Sequence, residues 1–414
     1  MPLDCLFIRL RSVSLIAAAV LFLTSAWAAD HQTVLYSFGG PPDGTDPVGS
    51  LLMDSAGNLY GATFSGGIYC APFYNCGTVF KLSRTPGGGW TETVIHDFSG
   101  LDGDGTNPNG SLIMDAAGNL YGTTALTAFE LSPNQDGTWT EKTLCKFNFD
   151  GTGLDPDGGL VMDAAGNLYG VTLEGGGDMQ GTAFELVRNG GGCYVMYSFG
   201  IGDDGKEPMG NLVVDAAGNV FGTTYAGGNA GGGTVFELSL FATGGWREII
   251  LHSFSGSDGY GPKAGLVMDA AGNLFGTTSG GGNAGVGTVF ELSPVAGGGW
   301  TETTVYSFNG GPDGSDPESG LTLDAHGNLY GTTPGGGLFE YGTAFELSPR
   351  QGGWRETVLY SFEGSSDGGL PTSGLITDRA ADLYGVTPGM GIPSVVYELT
   401  PPLGCGTHCP STEH

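Results

Sequence analysis

Asp163-Ala-Ala-Gly-Asn-Leu-Tyr-Gly170 decides the fold, because it recurs along the chain with little change. Its first five residues are a tight-turn signature: the carboxylate can accept hydrogen bonds from turn N–H groups, and glycine supplies a positive φ. The Leu-Tyr-Gly that follows reads as a strand. The leading Asp falls at positions 54, 115, 163, 215, 269, 324 and 378. A period of roughly fifty residues is that of propeller blades.

Working outward from the turn, the fifth copy supplies four short strands at residues 264–268, 274–278, 288–292 and 300–308, each bounded by Gly, Asn, Asp or Pro. We label them A to D, with A innermost. Near the chain start, Gln32-Thr-Val-Leu-Tyr-Ser-Phe38 matches a strand D, while the last strand, Val395-Val-Tyr-Glu-Leu399, matches a strand C. An open stack of sheets or a β-helix gains nothing from this offset. In a ring it pairs two edges that would otherwise lie open. The expectation is therefore an all-β, seven-bladed β-propeller over residues 29–400, its four-stranded antiparallel blades closed by the N-terminal strand. Trp90, Trp139, Trp246, Trp300 and Trp354 begin five D strands and read as blade packing, with a carbohydrate platform as the functional alternative.

At the N-terminus, Arg9 and Arg11 precede an apolar run at residues 14–24 that ends in Ala26-Trp-Ala28. That run is too short to span a bilayer and leads into a small-residue cleavage site, so residues 1–28 read as a secretory signal peptide. The mature protein is expected to be secreted, extracellular or periplasmic, with no membrane span after cleavage and a short polar tail at 401–414. The formal charge is −30, and loss of Asp4, Arg9 and Arg11 makes it more negative by one. Nucleic acid and anionic membrane surfaces both require clustered Lys and Arg, so both are excluded as partners. Cys5 leaves with the signal peptide, and the remaining six cysteines suit an oxidising compartment. Cys70 with Cys76, and Cys405 with Cys409, are close enough in sequence to bridge locally. Cys145 and Cys193 occupy D strands of successive copies, and their pairing is left open.

The combined pattern of Tyr-Ser-Phe, Asp-Gly-x-x-Pro, Asp-x-x-Gly-Asn-Leu-Tyr-Gly-Thr-Thr and Gly-Thr-Val-Phe-Glu-Leu resembles the bacterial "choice-of-anchor tandem repeat GloVer-containing" proteins across essentially the whole mature chain. The resemblance implies an exported bacterial repeat protein, often surface-associated, and it implies no catalytic residues. No recognisable anchor follows the repeats here, which favours free secretion.

In an antiparallel meander the D–A and B–C connections emerge on one face. The D–A loops repeat Asp-Gly-x-x-Pro, as at residues 43–47, 104–108 and 313–317. Asp102, Asp104 and Asn107 come nearest to a calcium loop, although the set lacks the closing Glu of an EF-hand; a turn capped by Asp is the plainer reading. The B–C loops vary most and carry aromatics: Tyr69, Phe73 and Tyr74 in the first copy, Tyr225 in the fourth, Phe339 and Tyr341 in the sixth. Variable loops on a rigid scaffold are where specificity resides, and these rings suit sugar or peptide contacts.

Catalytic constellations are mostly missing. The histidines show no zinc spacing, and His96 and His252 replace the strand-D Tyr as packing variants. Gly364-Ser-Ser-Asp-Gly368 fits the nucleophile-elbow pattern but lies in a repeated turn. Glu130, Glu185, Glu237, Glu291, Glu346 and Glu398 recur in strand C, which points to blade architecture rather than to one reaction. The sequence leans against an enzyme. It favours a monomeric binding or scaffold module for an extracellular polysaccharide or protein, with no cofactor beyond calcium. The alternative is a secreted carbohydrate-active hydrolase or lyase, calcium-assisted, whose mark would be carboxylates unique to a few blades and gathered in one pocket.

Overall fold

In the computed structural model, the described residues are 32–69, 76–101, 103–148, 151–188, 192–242 and 244–400. The expected signal peptide, the polar tail, and with them Cys70, Cys405 and Cys409, lie outside that set, so the two expected local disulfides do too. Strands A to D run, in blade one, Gly44–Met53, Leu59–Gly66, Thr78–Arg84 and Trp90–Asp97; in blade two, Pro108–Met114, Leu120–Thr124, Thr127–Pro133 and Trp139–Lys146. Blade three has Leu154–Met162, Leu168–Glu174, Thr182–Val187 and Gly192–Ser198; blade four has Gly205–Val214, Val220–Gly227, Thr234–Leu240 and Trp246–Ser253. Blade five has Val267–Met268, Leu274–Thr278, Thr288–Pro294 and Trp300–Ser307; blade six has Thr322–Leu323, Leu329–Thr333, Thr343–Arg350 and Gly353–Ser361. Blade seven joins Ile376–Thr377, Leu383–Thr387 and Val395–Leu399 to the N-terminal Gln32–Ser37, in the order that closes the ring. Seven four-stranded sheets result, all of them antiparallel.

The seven-fold Asp does the work expected of a turn residue. Asp54 Oδ1 accepts from the backbone N–H of Ala56 and Asn58, both at 2.9 Å, while Oδ2 accepts from Asn58 Nδ2 at 2.7 Å and Tyr60 Oη at 3.0 Å. Burial pushes this carboxyl upward, but the four hydrogen bonds outweigh it and hold it below its usual range. The same contacts recur at Asp115 and Asp163.

One expectation needs correction. Strand A of blade five was expected over residues 264–268, but only Val267–Met268 pairs with strand B, and blades six and seven are equally short. In blades one to four a glycine two residues after the loop Pro, at 49, 110, 158 and 210, takes φ between 66° and 90°. The strand bulges there and pairs on both sides of the bulge. Blades five to seven carry Ala264, Ser319 and Ser373 instead, and side chains avoid that conformation.

The core lies between blades and is built mainly from rings. Phe38, immediately after one strand D, meets Phe80 in strand C of the next blade at 5.2 Å, edge to face. The contact repeats around the ring as Phe98–Phe129, Phe147–Phe184, Phe199–Phe236, Phe254–Phe290, Phe308–Phe345 and Phe362–Tyr397. The tryptophans pack as expected: Trp246, Trp300 and Trp354 stand against Tyr169, Phe221 and Phe275 of the preceding blade.

A polar clamp joins the same neighbours. Tyr36, Tyr197, Tyr306 and Tyr360 in strand D donate to Asp43, Asp204, Asp313 and Asp367 of the following D–A loop at 2.7 to 3.1 Å. A glutamate from the next strand D reaches this pair: Glu92 faces Asp43, Glu248 faces Asp204, and Glu356 faces Asp313. Where that ring of clamps passes from blade two to blade three, Cys145 takes the Tyr position and Cys193 the Glu position. They form a disulfide with Cα atoms 5.8 Å apart, which settles the pairing left open above. At the closing junction Gln32 takes the Glu position and donates to the Asp367 carbonyl at 3.1 Å.

Two carboxylates in one half-buried junction favour a shared proton. Burial, then the facing aspartate, pushes Glu92 and Glu356 up to about 7, and Glu248 is raised for the same reasons. The folded chain therefore binds more protons than the unfolded chain between the ordinary Glu value and about pH 7, so stability falls as pH rises through that window. The expected result is a lower melting temperature at pH 8 than at pH 5. The triple variant Glu92→Gln, Glu248→Gln, Glu356→Gln should melt several degrees higher than wild type at pH 8 and alike at pH 5. Parallel thermal melts with equal pH slopes would refute the shared proton.

Candidate functional site

The D–A and B–C loops share one face, and strand A carries that face into the central channel. The channel holds a cavity of about 250 Å3 lined by residues of all seven blades, from strand A and the segment that leads into it. Its lining varies most at one position, the residue after the loop Pro. That residue is Val48, Asn109, Asp157, Met209, Lys263, Glu318 and Thr372 in blades one to seven, different in every copy, while the Leu three positions further on is the same in all of them. Six of the seven line the cavity.

These side chains engage one another across blade boundaries. Asn109 Nδ2 donates to Asp157 Oδ1 at 3.1 Å. Burial holds the Asp157 carboxyl above its usual range, with Asp155 adding to it. Lys263 Nζ pairs with Glu318 Oε1 and lies 5.7 Å from the centre of the Tyr225 ring. The frame beneath is fixed by strand-B threonines. Thr123 Oγ1 donates to the Gly158 carbonyl of the next blade at 3.2 Å, and Thr223 Oγ1 to the Ala264 carbonyl at 2.9 Å. A mouth lined by amide, carboxyl, ammonium and hydroxyl groups, beside the apolar Val48 and Met209, suits a ligand with several hydroxyl or amide groups.

Around this mouth the B–C and D–A loops expose Ile68, Tyr69, Leu126, Ile201, Tyr260 and Phe339. Of the aromatics singled out in the sequence, Tyr69 is the most exposed at 60%, and Phe339 is exposed at 47%. Tyr341 packs against the next D–A loop, where its ring crowds Gly364 and its carbonyl accepts from Leu370 N at 2.7 Å. Tyr225 is half-buried beside Lys263, which lines the channel cavity. Phe73 and Tyr74 lie outside the described residues. The three blades that carry these aromatics are one, four and six, so they are spread around the face.

The expected calcium loop is occupied by its own hydrogen bonds. Asp104 accepts from His96 Nε2 at 3.0 Å and from Ser99 N and Oγ at 2.8 Å, and Asn107 Nδ2 donates to the Phe64 carbonyl. Asp102 lies outside the described residues. Cys76 is buried in the core beneath blade one. A cleft of about 470 Å3 opens on the opposite face between blades two and three. Its cations Lys142 and Arg188 stand 3.6 and 3.9 Å from Glu130 and Asp115, so its charges are internally matched.

Fold and site together define a closed seven-bladed propeller whose repetition is broken at the mouth of its channel. The chain belongs to the Gloeobacter/Verrucomicrobia repeat family, whose model matches residues 126–250 and 203–397. No curated protein matches it in sequence. Virginiamycin B lyase from Staphylococcus aureus superposes with a TM-score of 0.56 at 13% identity, over 89% of this chain and 99% of the lyase. The extracellular domain of a proposed hybrid two component system from B. thetaiotaomicron superposes with a TM-score of 0.55 at 12% identity, over 88% of this chain and 39% of that one. At such identities the likeness is one of fold alone. Among the described residues no helix is long and apolar enough to cross a membrane, and the Cys145–Cys193 disulfide is compatible with export.

Proposed function

We propose that this protein is an exported binding module that takes part of an extracellular polysaccharide or protein into the channel mouth on the loop face. The observation that carries this reading is the position after the loop Pro, where seven blades carry seven different residues and six of those side chains line one cavity. Blade architecture calls for sameness there, as it does at the neighbouring Leu; a ligand calls for difference. The exposed Tyr69 and Phe339 add stacking surfaces at the rim.

A glycan array followed by titration of the best ligand tests this. Lys263→Ala, which leaves Glu318 unpaired, should weaken binding about tenfold or more, ~1.4 kcal/mol. Tyr69→Ala should weaken it less. A blank array and pull-down with correctly folded protein, or a ligand indifferent to Lys263, would overturn the reading.

One observation favours a second reading, a carbohydrate-active hydrolase or lyase. Asp157 and Glu318 are carboxylates found at this position in blades three and six alone, both line the channel cavity, and their settings differ: Asp157 is half-buried and raised, Glu318 is paired with a lysine. Turnover of a polysaccharide panel, abolished by Asp157→Asn while binding survives, would move the assignment to an enzyme. Binding without turnover leaves it a module.

A further inference from the structure

The clamps between blades contain more hydrogen-bond acceptors than donors. At the junctions built on Tyr36, Tyr197 and Tyr306, the phenol supplies one proton to an aspartate while a glutamate from the next strand D faces it. Glu92 Oε1, Glu248 Oε1, Glu356 Oε1 and Asp313 Oδ1 are all buried without a hydrogen-bond partner. Such a junction needs a proton or a cation to be satisfied. Between blades four and five the phenol is replaced by an imidazole. His252 Nε2 lies 2.8 Å from Asp258 Oδ2, Glu302 enters from the next strand D, and one ligand atom from each of the three residues lies within 4.8 Å of the others. Here a nitrogen lone pair joins two carboxylates, which is a ligand set.

We propose that His252, Asp258 and Glu302 form a binding site for a borderline transition-metal dication such as Zn2+, clamping blade four to blade five where other junctions use a proton or a disulfide. One imidazole nitrogen and two carboxylate oxygens are common zinc ligands, and a water completes the tetrahedron. The imidazole disfavours calcium and magnesium, which take oxygen donors. Binding replaces the His252 to Asp258 hydrogen bond with a coordinate bond from each of the two side chains, and a proton held at Nε2 moves to Nδ1. Thr304 Oγ1 donates to Glu302 Oε1 at 3.2 Å, and Ser255 N and Oγ donate to Asp258 Oδ1 at 2.9 Å, so both carboxylates are already oriented by outer partners.

The repeat supplies its own control variant. Tyrosine occupies the same position in four other junctions, so His252→Tyr should fold, with a melting temperature within a few degrees of wild type when metal is removed. Titration of the full chain with Zn2+ at pH 7, read by calorimetry, should show one equivalent fewer in His252→Tyr than in wild type, and Glu302→Gln should weaken that equivalent at least tenfold. Zn2+ should raise the melting temperature of wild type more than that of His252→Tyr. His96→Tyr alters the other histidine junction, for which the three-atom cluster is not formed, and should leave the equivalent intact. Calcium in excess should not compete. Equal zinc stoichiometry in wild type and His252→Tyr would overturn the proposal, as would loss of the same equivalent in His96→Tyr or displacement by calcium.

Discussion

Removal of Gln32–Phe38 is expected to leave a chain that melts at least ten degrees lower and self-associates through strand Val395–Leu399. The first strand is the outer strand of the last blade: Gln32, Thr33 and Val34 pair with Leu399, Glu398 and Tyr397, and after a bulge Tyr36 and Ser37 pair with Val396 and Val395. Without it, strand C of blade seven becomes an unpaired edge of Val, Tyr and Leu, a template for other chains. The loss extends beyond that blade. Val34 packs against the core of blades six and seven, while Leu35, Tyr36 and Phe38 pack against the core that joins blade seven to blade one. Burial of such side chains stabilises by roughly 1.5–3 kcal/mol each when complete, so the strand accounts for about 5 kcal/mol, comparable to the whole stability of many domains.

The measurement is a thermal melt with size-exclusion chromatography of the truncated chain, with and without a synthetic peptide of residues 32–38. Addition of the peptide in excess should restore the monomer and most of the melting temperature, because the missing strand can be donated in trans. A truncated chain that stays monomeric and melts like wild type would show that the ring does not depend on this closure.

The closure was legible because it rests on element type. A strand D at the start and a strand C at the end can be recognised by residue pattern alone, and the offset has only one economical use. The Cys145–Cys193 bridge was not legible, since pairing depends on how strand D of one blade registers against that of the next, and the repeat pattern carries no information about neighbours across a junction. Aligned on the D strands, however, the cysteines fall on the clamp positions held elsewhere by Tyr or His and by Glu or Gln, a signal that explains the pair once the clamp is known. The channel site was written in the sequence and passed over. Aligning the seven copies on the loop Pro displays Val48, Asn109, Asp157, Met209, Lys263, Glu318 and Thr372 in one column. Loop length and aromatic content drew attention to the B–C segments instead, where Tyr341 turns out to serve the neighbouring loop.

That column depends on glycines beside it, which leads to the second large effect. Gly110→Ala should destabilise the ring by about 3 kcal/mol or more, combining the cost of a side chain at positive φ with overpacking. Gly110 has φ +90°, and a Cβ there would meet the carbonyl carbon and oxygen of Gly158 in the next blade at 2.2 Å. The obstacle is backbone, so no rotamer change relieves it. Gly158 in turn abuts Gly210, and Gly49 abuts Gly110, so a displaced strand A in blade two presses on its neighbours. Gly118→Ala separates the two costs: its φ is +85°, but a Cβ there would meet nothing closer than Pro133 Cγ at 3.9 Å. It should cost about 1 kcal/mol, from conformation alone. Denaturant melts of the two variants side by side should therefore differ by about 2 kcal/mol. Equal losses would mean that the A strands can spread apart freely, and the geometry of the channel mouth, with Asn109 and Asp157 held 3.1 Å apart beside Gly110, would not be set by the ring. A larger loss in Gly110→Ala means that the same close packing that forbids a methyl group also fixes the seven dissimilar side chains relative to one another, which is what a preorganised binding mouth requires.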